Sequence, residues 1–113
     1  MTAHDPKFDT LPTDLYIGGT FRPGAEGARF DVLNPATETV IASVASAEIA
    51  DADAALDAAE TAMADWAART PRARSEVLRR AWELMTARLD DFAHLITLEN
   101  GKAGTDARGE AAY

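Results

Sequence analysis

The sequence contains no cysteine. A disulfide framework, a thiolate zinc site and a cysteine nucleophile are therefore excluded within these 113 residues. The same absence fits a reducing compartment, and the cytoplasm is the expected location. Basic residues are few, eleven against nineteen acidic ones, and the net charge is −8. That sign is wrong for gripping a phosphate backbone or an anionic lipid surface, so neither a nucleic acid nor a membrane partner is expected. No apolar run approaches the roughly 18 residues of a membrane span. Residues Met1 to Thr13 are polar and lack a basic start followed by an apolar stretch, so secretion is not indicated. Strong core formers are scarce as well. Nine Leu, four Ile, four Val and four Phe make 21 of 113 residues, just under the roughly 20 % at which a highly charged chain begins to resemble a disordered one. Alanine supplies most of the remaining apolar content, and its methyl buries little area. The length allows one small domain, and the thin core suggests part of something larger.

What is present changes character along the chain. Residues 1–14 hold Pro6, Pro12 and scattered charges without a period, and read as a mobile N-terminal arm. Leu15-Tyr16-Ile17 and Thr20-Phe21-Arg22 flank Gly18-Gly19, a pair suited to the positive φ angles of a tight β-hairpin. After a loop over Pro23 to Gly27, Phe30 and Val32 alternate with Arg29 and Asp31 in period two, predicting a half-buried strand. The turn formers Asn34-Pro35-Ala36-Thr37-Glu38 connect it to a run from Thr39 to Val44, in which Val40, Ala42 and Val44 are expected on one face. Beyond Ser46 the period becomes 3.6. Ile49, Leu56, Ala59, Met63 and Trp66 trace the stripe of an amphipathic helix, with Ser46 as its expected cap and Glu48 in its first turn. Thr70 before Pro71 is a helix start, and Val77, Leu78, Ala81, Trp82, Met85 and Leu89 are the expected buried face of that second helix. A third helix begins near Asp90 and Asp91 and stops at Asn100-Gly101. A fourth, capped by Thr105, is expected to run through Glu110 to Tyr113, where no stop signal follows and truncation is expected. The predicted class is α+β: a hairpin and a ribbon, then three to four helices.

The residues do not assemble a reaction centre. His4 and His94 fall in no metal-ligand spacing and read as surface or packing residues. Gly101-Lys102 resembles the end of a phosphate loop, but Ile96 stands where its first glycine belongs and Ala103 where Ser or Thr belongs. Gly101, Gly104 and Gly109 have the wrong intervals for a dinucleotide fingerprint and fit helix caps and flexibility. The arginines between Arg69 and Arg80 suggest either an anion site or, more commonly, a solvated helix face balanced by carboxylates. Glu76 and Glu83 are separated by about 10.5 Å of helix, too far for paired catalytic carboxylates. From the residues alone the reading stops at a soluble α+β segment.

The order of the segments resembles the N-terminal end of the NAD(P)-dependent aldehyde dehydrogenase superfamily. Tyr16-Ile17-Gly18-Gly19-Thr20-Phe21 looks like that family's opening hairpin, with Gly18 in place of the usual Asn. Phe30 to Glu38 is similar to its Val-x-Asn-Pro-Ala-Thr-Gly-Glu signature, lacking the Gly between Thr37 and Glu38. Val40 to Val44, Ala64-Asp65-Trp66, the Pro71 to Arg80 helix and Leu98-Glu99-Asn100-Gly101-Lys102 follow in the family's order. Ala103 and Gly104 depart from it, standing where Pro and a larger apolar residue are usual. Ala107-Arg108-Gly109-Glu110 looks most like the succinate-semialdehyde dehydrogenase branch.

The resemblance implies that residues 15–113 are the outer part of an α/β coenzyme-binding domain. The full-length enzyme would be a homo-oligomer oxidising an aldehyde with NAD or NADP, with succinate semialdehyde as a candidate. A cysteine thiolate would attack the aldehyde, hydride would pass to the nicotinamide, and a glutamate-activated water would release the acid. None of those residues maps onto this segment, so catalytic, cofactor-binding and metal positions are all expected to be absent from it, and the segment alone is expected to be inactive. The carbonyls of Val32 and Leu33 with Glu99 match a structural monovalent-cation position of some family members, although packing is the preferred role for these residues. Two other readings stand beside this one: a free-standing helical interaction module using the Trp66 and Trp82 faces, and a pseudoenzyme subunit.

Overall fold

The structure, a computed structural model, describes residues 9–113. The expected α+β order is present, as two separate antiparallel strand pairs followed by four helices. Strands β1 (Leu15–Ile17) and β2 (Thr20–Arg22) pair in the register Tyr16↔Phe21. Gly18 and Gly19 turn the chain with φ of 60° and 85°, the two left-handed angles that a two-residue hairpin matched to strand twist requires. The rings of Tyr16 and Phe21 lie 4.8 Å apart and are both more than half exposed.

Strands β3 (Arg29–Asn34) and β4 (Thr39–Ala45) form the ribbon. Its turn is built by Asn34, which is buried and whose Oδ1 accepts from the Ala36 N–H at 2.9 Å while its carbonyl accepts from the Glu38 N–H at 2.8 Å. Closing this loop puts Glu38 at φ 57°, a left-handed angle at a residue with a Cβ. The expected common face of Val40, Ala42 and Val44 is not observed. Val32 pairs with Ala42 but Leu33 pairs with Val40, so Ile41 is an extra residue in a β-bulge. The bulge moves Val40 to the outer side beside Leu33, where both are about half exposed.

Helices α1 (Ile49–Ala68), α2 (Pro71–Thr86), α3 (Leu89–Asn100) and α4 (Gly104–Ala112) complete the chain. Thr70 caps α2 as the sequence predicts, its hydroxyl accepting from the Ala73 N–H at 3.2 Å with Pro71 at the first helical position. Gly101 ends α3 at φ 74°, again as predicted. Two expected caps are displaced. Glu48, not Ser46, is the N-cap of α1, because Ser46 is still engaged with the ribbon through its N–H to the Ala28 carbonyl at 2.8 Å. Thr105 lies inside α4, whose N-cap is Ala103.

Packing is concentrated where α3 meets α4 and β3. The buried apolar residues among those described are small: Ala93 of α3, Ala107 of α4 and, at the end of β4, Ala45. Alanines let backbones approach closely but contribute little transferred area. The predicted burial of the α2 face does not occur: no residue of α2 is buried, Leu78 and Trp82 are 64 % and 65 % exposed, and Leu89 belongs to α3. The amphipathic stripe is present, but no described element lies across it. The α1 stripe is likewise open at Ile49, Leu56 and Met63. The radius of gyration is 17.1 Å, against about 13 Å for a compact chain of this length.

Candidate functional site

Among the described residues the largest fully buried side chain is that of Asp51, the third residue of α1, at 2 % exposure. Three donors from separate parts of the chain converge on it. Arg22 at the end of β2 donates through Nη2 to Oδ1 at 3.0 Å; the Ala25 N–H in the following loop and the Glu48 N–H at the helix start donate to Oδ2 at 2.9 and 3.0 Å. The last bond is half of a capping box, with the third helical residue reaching back to the N-cap N–H. Gly24 is what lets the loop come this close. A Cβ there would overlap the Ser46 carbonyl oxygen and lie 3.5 Å from Asp51 Oδ2. The backbone N–H bonds from Glu48 and Ala25 hold the Asp51 carboxyl below the ordinary carboxylate range. Burial opposes them and the Arg22 charge adds to them.

A second polar tie lies beside the first. Arg29 at the start of β3 donates to Asp14 Oδ1 at 2.7 Å, to Thr13 Oγ1 at 2.6 Å and to the Ser43 carbonyl at 2.7 Å, and the Ala45 N–H reaches the Thr13 carbonyl at 2.8 Å. Thr13 and Asp14, within the arm expected over 1–14, are thus hydrogen-bonded to the ribbon. The remainder of that expectation up to residue 8, including Pro6 and His4, lies outside the described residues.

The other residues singled out in the sequence are distributed over several elements. His94 is on the exposed side of α3. Glu76 and Glu83 both pair with Arg79, which lies between them on α2, and Arg80 approaches Glu83 at 3.5 Å. Arg79 and Arg80 thus lie on an exposed, charge-balanced helix face. Lys102 pairs with Glu110, and Arg108 with Asp90, tying α4 to its surroundings. Gly104 and Gly109 fall at the start and in the body of α4, and a Cβ at either would meet nothing. Gly101 differs: a Cβ there would lie 3.0 Å from Pro35 Cγ, so the end of α3 rests on the ribbon turn. That contact and the packing of α3 on β3 place Glu99 and Val32-Leu33 on adjoining elements, with Glu99 exposed. Among the described residues no three His, Cys, Asp or Glu side chains could hold a metal ion together.

Chemically, the Asp51 cluster is a fastening. Its carboxylate already accepts from three donors and its depressed pKa makes it a poor proton acceptor at neutral pH, which is unsuited to general base work. Its local signal is an acid three residues after Glu48 at a helix start. The contribution of Gly24 and Arg22 comes from tertiary approach and has no local signature. Both strand pairs are antiparallel, and no described strand leads through a glycine loop into a helix N-terminus.

Residues 21–113 match the model of the aldehyde dehydrogenase family. The chain is 55 % identical over 74 residues to the succinate-semialdehyde dehydrogenase of Paenarthrobacter nicotinovorans, a stretch covering 66 % of this chain and 16 % of that protein. It is 42 % identical over 98 residues to the glutarate-semialdehyde dehydrogenase of Pseudomonas putida, covering 87 % of this chain and 20 % of that one. The crystal structure of succinate-semialdehyde dehydrogenase from Burkholderia pseudomallei superposes over the whole chain with a TM-score of 0.89 at 35 % identity, using 23 % of its own length. The chain thus spans about a fifth of the length of the proteins it resembles. With strand pairs, helix order and sequence all in agreement, this chain belongs to the aldehyde dehydrogenase family.

Proposed function

We propose that this segment is the outer part of the coenzyme domain of a longer NAD(P)-dependent dehydrogenase acting on a small semialdehyde, succinate or glutarate semialdehyde, and that its role is to brace that domain. The observation that carries the structural half of this reading is uncovered surface. The chain exposes 8552 Å², against about 6000 Å² for a compact monomer of its mass, and the excess includes the apolar stripes of α1 and α2. A face with that period is built to lie against another element, and the rest of the coenzyme domain is the natural cover. The substrate half rests on the relatives, both of which are named for dicarboxylate semialdehydes. Thiolate attack, hydride transfer and NAD(P) binding then belong to residues beyond this segment, which has no cysteine. The longer protein is a homo-oligomer of the cytoplasm on this reading. No helix among the described residues is long and apolar enough to cross a membrane.

The test is aldehyde-dependent reduction of NAD and NADP by the full reading frame, with the 113-residue chain assayed beside it. Reduction by the long form with either semialdehyde and none by the short form is expected. Turnover by the short form would overturn the bracing role, and turnover of other aldehydes with neither semialdehyde would overturn the substrate assignment. A single sharp melt of the short form with no binding of a hydrophobic dye would favour the free-standing interaction module instead.

A further inference from the structure

We draw no further inference here: the strongest candidate, the shallow open groove between the β1–β2 hairpin and α1, walled by Tyr16, Gly18, Ala58, Ala62 and Asp65, is an unpartnered apolar face and nothing in the structure shows what covers it.

Discussion

The junction around Asp51 buries a carboxylate and almost no hydrocarbon, whereas α2 carries Val77, Leu78, Trp82 and Met85 and buries none of them. Yet the junction is the more specified of the two. Its geometry depends on β2, the following loop and the start of α1 arriving together, so each partner constrains the other two. Helix α2 is specified from within, by the Thr70 cap, by Pro71 and by Arg79 between Glu76 and Glu83. Apolar content is thus a poor guide to local order in this chain. Convergence of donors on one buried acceptor orders the first region, and short-range helix signals order the second.

Substitutions separate the two kinds of order. Within this chain the largest effect is expected at Gly24→Ala, where the added methyl meets backbone at Ser46 and not a yielding side chain. A loss on the order of 3 kcal/mol is expected, read as a lowered urea midpoint; an unchanged midpoint would mean that the loop does not sit against Ser46. Next comes Asp51→Ala, which strands the Arg22 guanidinium and two N–H groups. Hydrogen exchange at the Ala25 and Glu48 amides should accelerate while the amides of α2 stay unchanged. The same residue sets an acid limit. Its folded pKa is depressed, so its contribution is fully present above the unfolded value near 3.8 and fades as the pH falls through the lower folded value. Stability of the Asp51→Ala variant should therefore fall less steeply below about pH 4 than that of the parent chain.

The α2 side of the comparison predicts smaller changes. Thr70→Ala removes one capping acceptor and should cost about 1 kcal/mol, seen as faster exchange at the Ala73 amide and in the first turn only. Trp82→Ala should be smaller still in this chain, within about 0.5 kcal/mol, because its side chain is 65 % exposed. In the longer protein the same change should cost about 3–5 kcal/mol if the face is covered there. Equal effects in both contexts would sink the covered-face proposal.

The sequence made the locally encoded parts readable. Gly18-Gly19 with β-prone flanks, Thr70-Pro71 and Asn100-Gly101 each carry their geometry within a few residues, and the structure has the hairpin, the helix start and the helix stop at those places. The bulge at Ile41 was not readable, since strict alternation through Val40, Ala42 and Val44 is what an unbulged strand would show. Ser46 is a better intrinsic cap for α1 than Glu48, and its tertiary engagement with Ala28 and Gly24 removes it from the role. Burial of the α2 face failed for a different reason. Periodicity says that a face expects a neighbour, not that the neighbour lies within the same 113 residues. As for the site, Glu76 and Glu83 meet Arg79 as exposed ion pairs along α2, and the Asp51 cluster is assembled by parts of the chain 26 and 29 residues apart.

Helix α1 has a consequence for ionic strength. Between Ile49 and Ala68 it carries Asp51, Asp53, Asp57, Glu60 and Asp65 and no basic residue. Asp53 and Asp57 are one turn apart, and Asp57 and Glu60 nearly so, which places like charges side by side. Added salt screens that repulsion and steadies α1, while in α2 it screens the attraction of Arg79 for Glu76 and Glu83 and loosens the helix. Two adjacent helices joined by Arg69 and Thr70 therefore respond to the same solvent change in opposite directions, and a dilute buffer and a concentrated one favour different halves of the pair.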